Sequence, residues 1–254
     1  MQDFYIGDVG TGFPFVLIHG FLGSSKMWEP QIKFFKKNFR VITPDLPGFG
    51  KNNKIQSYDS IQSIAEFLLD TLEKKKINKF HLLGHSMGGM IVQEMAKKKG
   101  NKISKLICYS TGPKGEMPGR FETVDQSREN LKKMGLQNTA KKIAMTWFIK
   151  GKNAEYFDTC IKSGKQTSIE AADNALIAFK NWNSVKTLKN IKNETLIVWG
   201  DKDKSYDIQQ IKILNKNISN SSLVIFEGCA HNVHLEKVTE FNNRIKDFLL
   251  NTHL

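Results

Sequence analysis

A serine set between two glycines, Gly84-His85-Ser86-Met87-Gly88, is the arrangement in this chain with the clearest chemical potential. An apolar run at 79–83 precedes it and an apolar-periodic segment at 87–99 follows, so the spacing predicts strand, tight turn, helix. The two backbones approach closely at such a turn, which leaves little room for side chains at Gly84 and Gly88. The Ser86 hydroxyl is then exposed at the carboxyl edge of a sheet, and the first N–H groups of the helix point toward whatever sits on it. That is a setting for nucleophilic catalysis.

A hydroxyl attacks only when a base takes its proton and a third group orients the base. The chain has six histidines. His81 falls inside the strand at 80–83, His85 adjoins the serine on a turn where neighbouring side chains diverge, and His253 is in the terminal tail. His231, in Gly228-Cys229-Ala230-His231-Asn232, follows a strand at 223–226 and is the favoured base, with His234 the runner-up. The acid is sought after the strand at 195–200, where Asp201, Asp203 and Asp207 compete. Asp203 leaves a short loop in which a carboxylate turns back toward His231, and it is favoured. Asp201 suits a turn, and Asp207 a helix N-terminus. Phe15-Val16-Leu17-Ile18 is too short for a helix and reads as a strand buried on both faces. It ends in His19-Gly20-Phe21-Leu22-Gly23, a loop able to turn N–H groups inward. The N–H groups of Phe21 and Met87 are the candidate donors for an oxyanion.

Five motifs carry a resemblance: His19-Gly20-Phe21; Asp45-Leu46-Pro47-Gly48-Phe49-Gly50; Gly84-His85-Ser86-Met87-Gly88-Gly89; Trp199-Gly200-Asp201-Lys202-Asp203; and His231. The chain resembles the α/β-hydrolase fold superfamily, in its serine-nucleophile branch with a helical cap. The resemblance implies that Ser86, Asp203 and His231 form a triad, with Phe21 and Met87 at the oxyanion hole, and that the activity is cleavage of a carboxylic ester without a cofactor or metal. Dehalogenases and epoxide hydrolases of the superfamily carry aspartate at the elbow, so the serine argues against both. Asn232-Val233-His234-Leu235-Glu236 and His19 to Ser24 also resemble the menaquinone-pathway lyase. The arginine expected after the elbow is replaced by Gly89-Met90-Ile91, leaving Arg120, Arg128 and Trp147 to grip an acidic ligand. A triad-dependent lyase or C–C-bond hydrolase is the alternative, and a non-catalytic ligand sensor a third reading.

The elements that position these residues alternate strand and helix, which predicts an α/β fold with a doubly wound, mainly parallel sheet. Strands are expected at 4–9, 15–18, 39–43, 80–83, 103–109, 195–200 and 223–226. Helices are expected at 27–37, 58–76, 87–99, 208–214 and 238–250. Between 112 and 190 the strand pattern stops, and amphipathic stretches appear at 124–134, 139–149, 154–163 and 169–182, the last with Ser168 as N-cap. We therefore divide the chain into a core, 1–111 and 191–254, and a helical cap, 112–190. Phe49, Trp147 and Phe148 are candidate pocket walls.

With 254 residues, the chain suits one domain with an insertion. No apolar run reaches the roughly 18 residues of a membrane span, and Met1-Gln2-Asp3-Phe4 lacks the pattern of a secretory signal. Three cysteines form no framework and fit a reducing cytoplasm. The net charge of +13 comes from lysines spread over many short runs, several closing helices. No nucleic-acid partner is expected, and the partner expected is a small-molecule substrate. Nothing in the sequence speaks to oligomeric state.

Overall fold

Short apolar runs, buried on both faces, build the middle of the sheet. The computed structural model describes residues 3–116 and 120–250. Among them are seven strands: β1 (Ile6–Val9), β2 (Phe13–Ile18), β3 (Phe39–Pro44), β4 (Phe80–His85), β5 (Ile103–Tyr109), β6 (Glu194–Gly200) and β7 (Ser221–Phe226). Their order is β1-β3-β2-β4-β5-β6-β7. β1 runs antiparallel to β3, and every other neighbouring pair is parallel. Side chains alternate across the sheet. Phe15 and Leu17 join one apolar cluster with Val41, Leu83, Ile107 and Val198. Val16 and Ile18 join the other, with Ile42, Leu82, Leu106 and Ile197.

Helices α1 (Glu29–Phe35) and α9 (Val238–Leu250) cover the first face through Phe35, Phe241, Ile245 and Phe248. Helices α2 (Ile61–Lys74), α3 (Met87–Lys99) and α7 (Ile208–Asn217) cover the second. In α2 the spacing of Ile61, Ile64, Ala65, Leu68, Leu69 and Leu72 puts all six on one buried stripe, and Ser60 caps its start by accepting the Ser63 N–H at 3.3 Å. Each fully buried leucine or isoleucine contributes about 1.5–3 kcal/mol.

Three helices occupy the stretch between β5 and β6: α4 (Val124–Ala144), α5 (Phe157–Lys165) and α6 (Ile169–Asn181). Ser168 caps α6 by accepting the Ala171 N–H at 3.0 Å. The short α8 (Val233–Glu236) precedes α9. No helix among the described residues is long and apolar enough to cross a membrane.

The structure differs from expectation in local ways. The first strand, expected at 4–9, spans only Ile6–Val9. The helices expected at 124–134 and 139–149 are the two helical stretches of Val124–Ala144, which meet at Gly135, where φ 73° and ψ 168° are not helical. The second ends at Ala144, short of 149. The helix expected from 154 begins at Phe157, after a 3₁₀ turn (Gly151–Asn153).

One consequence of the strand order matters most. β2 leads through α1 to β3 on one side, and β4 leads through α3 to β5 on the other. The carboxyl ends of β2 and β4, paired at Ile18 and Gly84, are therefore the point where the winding reverses. In open α/β sheets the crevice outside that point is where ligands bind.

Candidate active site

At the end of β4, Ser86 adopts φ 57° and ψ −117°, a conformation that costs a non-glycine residue on the order of 1–3 kcal/mol. Its neighbours hold it there. The Ser86 N–H donates to the Tyr109 carbonyl at 2.9 Å, and the Thr111 hydroxyl donates to the Ser86 carbonyl at 2.8 Å. A Cβ on Gly84 would overlap the Gly88 carbonyl, and one on Gly88 would overlap that of Ile18. The two glycines are thus a packing requirement of the turn.

The loop after β2 is pinned by His19. Its Nε2 accepts the Leu46 N–H at 2.9 Å and its Nδ1 donates to the Gly20 carbonyl at 2.8 Å, which assigns the proton to Nδ1. A Cβ on Gly20 would lie 2.9 Å from that of Ser86, so this loop sits directly against the serine. Leu22, at φ 55°, completes the turn. Neither the Phe21 nor the Met87 N–H has a hydrogen-bond acceptor among the described residues.

Two further loops leave the same edge. After β6, Asp203 accepts the Ser205 N–H on Oδ1 at 2.7 Å. Its Oδ2 accepts from His231 Nδ1 at 2.8 Å. After β7, the His231 carbonyl accepts from the Tyr109 hydroxyl at 3.1 Å and from His85 Nε2 at 3.2 Å. Glu236 ties this loop to the inserted segment, accepting the Ala230 and Ile149 N–H groups, each at 2.7 Å. The Asn232 N–H donates to the Trp147 carbonyl at 3.0 Å. Ser86 and His231, 7% and 2% exposed, line the same narrow cavity. Between them the structure records no hydrogen bond; such contacts commonly tighten only when substrate binds.

A family model described as alpha/beta hydrolase fold matches residues 14–238. The chain belongs to the α/β-hydrolase fold family. The pimeloyl-[acyl-carrier protein] methyl ester esterase of Legionella pneumophila (strain Corby) is 28% identical over 252 residues, 98% of this chain and 100% of that one. Monoacylglycerol lipase ABHD6 of Homo sapiens is 26% identical over 259 residues, 94% of this chain and 75% of its own. An esterase (EaEST) from Exiguobacterium antarcticum shares the fold with a TM-score of 0.90 at 23% identity, over 97% of this chain and 95% of that chain.

In this α/β-hydrolase, Phe21, Ser86, Trp147 and His231 line the cavity together, and Asp203 stands behind His231. Met87 is fully buried behind the serine. Phe49 and Phe148 are not among the cavity walls: Phe49 packs 5.6 Å from the His19 ring, and Phe148 is core. Asp201 accepts the Gly228 N–H at 2.7 Å, and Asp207 caps α7 by accepting the Gln210 N–H at 3.1 Å. His253 lies outside the described residues. Arg128 is held by Asp173 at 2.7 and 2.9 Å.

Tyr206 is the wall that sequence reasoning missed. Its ring stacks on that of His231 at 5.9 Å and 18°, and it lines the cavity with Ser86. No motif marks a tyrosine there; the available signal was a lone aromatic between Asp203 and the helix cap. Phe121, Ile143 and Phe179 complete the apolar walls.

Beneath the site, burial pushes His19 and His85 below the ordinary histidine value and His234 down to about 3. Each is near 6.5 in the unfolded chain. Between the two values the unfolded chain therefore binds more protons, and stability falls as pH falls. His234 alone costs about 1.4 kcal/mol per pH unit over that window. Thermal unfolding followed by circular dichroism is expected to show the midpoint dropping by roughly 4–8 °C from this residue between pH 6.5 and 5. The slope should be shallower in His234→Asn.

Proposed function

We propose that this α/β-hydrolase is a serine esterase that cleaves a carboxylic ester of a small substrate through an acyl-enzyme on Ser86. The observation that carries the reading is the 2.8 Å bond from His231 Nδ1 to Asp203, with Ser86 on the wall of the cavity that His231 also lines. With Nδ1 donating to the carboxylate, Nε2 is left as the basic nitrogen.

His231 takes the Ser86 proton as the hydroxyl oxygen attacks the ester carbonyl. The oxyanion that forms accepts from the Phe21 and Met87 N–H groups, both free of other acceptors among the described residues. His231 then protonates the leaving alcohol. A water, deprotonated by His231, attacks the acyl-enzyme, and the second tetrahedral intermediate collapses to the acid and Ser86. Asp203 holds the imidazole orientation through both halves.

Residues 112–190 act as a cap that shapes the pocket and keeps water out, and the apolar walls it supplies, Trp147, Ile143 and Phe179, support this role. The name of the Legionella relative supports a methyl ester as the scissile group. Three buried free cysteines support action in a reducing cytoplasm.

Turnover of a methyl ester in ¹⁸O-labelled water tests the reaction class. Hydrolysis is expected to release methanol and place one ¹⁸O in the product acid. An elimination, as in the lyase alternative, would leave the acid unlabelled.

A further inference from the structure

The candidate triad leaves one charged wall of the cavity unexplained. Arg120 lines it beside Ser86, His231 and Tyr206, and it is the one lysine or arginine among the described residues that do so. No carboxylate among the described residues lies within 4.0 Å of its guanidinium, whereas Arg40 and Arg128 each hold an aspartate with two hydrogen bonds. Its own contacts are long: 3.3 Å to the Glu122 carbonyl and 3.5 Å to the Ser127 hydroxyl. The nearby Glu122 carboxylate is engaged elsewhere, by Ser127 at 2.6 Å, Asn130 at 2.9 Å and Lys142 at 2.6 Å.

A guanidinium cannot shed its proton, so removing it from water costs free energy that only an anion or good acceptors offset. Around Arg120 the remaining walls are mostly apolar, and the Phe121 ring lies 4.9 Å from its Cζ, against the cation. Burial disfavours the charge, while the Tyr206 and Glu122 oxygens only partly favour it. The planar fork of an arginine matches a carboxylate. A phosphate dianion would call for a second cation, which the described walls lack.

We infer that the substrate carries a carboxylate within a few atoms of the scissile ester, and that Arg120 binds it. This rests on the serine-esterase reading and adds the substrate class to it. Arg120 lines the same narrow cavity as Ser86 and His231, which places that anion close to the reacting centre.

Two matched pairs of probes test the inference. Monomethyl glutarate and methyl 4-carbamoylbutanoate put the charge, or its neutral amide equivalent, on the acyl side. Acetoxyacetate and 2-acetoxyacetamide put it on the alcohol side. In at least one pair the native enzyme should favour the charged ester by roughly tenfold or more in kcat/KM, chiefly through KM. Arg120→Gln should erase that preference, and Arg120→Lys should recover part of it. The inference fails if neither pair shows a preference for charge, or if Arg120→Gln lowers charged and neutral turnover equally. Neutral-ester turnover that disappears in Ser86→Ala would leave the esterase reading standing in that event. Turnover that persists in Ser86→Ala would remove the esterase reading itself.

Discussion

Replacing Ser86 with alanine is expected to lower kcat for a simple ester by about 10⁶, as loss of a nucleophile does in enzymes that work through an acyl intermediate. The change removes one oxygen and nothing that holds the fold. The turn is kept by the Ser86 N–H bond to Tyr109, the Thr111 bond to the Ser86 carbonyl, and the close packing of Gly84 on Gly88. All of these survive in alanine. Thermal unfolding should therefore move by no more than a few degrees while activity falls to the residual that the oxyanion donors and substrate binding still supply. Paired measurement of kcat and of the unfolding midpoint checks this. A variant that keeps more than about a hundredth of native kcat would be incompatible with covalent catalysis at Ser86.

Asp203→Asn is expected to cost about 10⁴ in kcat with KM little changed. The asparagine is almost the same size, and its carbonyl oxygen still accepts the Ser205 N–H that Oδ1 accepts at 2.7 Å. At the other position an NH₂ group replaces the oxygen that takes the His231 Nδ1 proton at 2.8 Å. Two donors cannot face each other, so the imidazole proton shifts to Nε2 and the nitrogen nearest the serine is no longer a base. Asp203→Ala removes the orienting group without supplying a donor. It should leave more residual activity than Asp203→Asn if tautomer choice is what matters. Steady-state kinetics of the two variants side by side decides that point.

The parts of the fold that were legible in the sequence are those governed by local rules. The strand, turn and helix around Ser86 follow from two glycines and two apolar patterns, and α3 (Met87–Lys99) begins and ends where that periodicity does. β5 and α9 also match, because each has one uninterrupted pattern. The inserted segment was less legible. A glycine marks the break at 135, but the helix end at Ala144 and the 3₁₀ turn at Gly151–Asn153 have no such marker in an amphipathic pattern that runs on past both. Phe49 illustrates a different limit. Its motif lies at the right sheet edge, but the side chain turns toward His19 and into the core. Arg120 and Tyr206 meet through two loops far apart in sequence, joined where the Phe121 N–H donates to the Lys204 carbonyl at 3.3 Å. Such a meeting is set by tertiary packing, and no spacing rule anticipates it.

Labelling with a fluorophosphonate, followed by intact-mass and peptide mass spectrometry, tests the central claim most directly, because only an activated nucleophile reacts at neutral pH. One adduct per chain on Ser86 is expected, absent in Ser86→Ala and formed far more slowly in Asp203→Asn. An adduct on another residue, or ester turnover by a protein whose Ser86 stays unmodified, would contradict the assignment of the reacting hydroxyl.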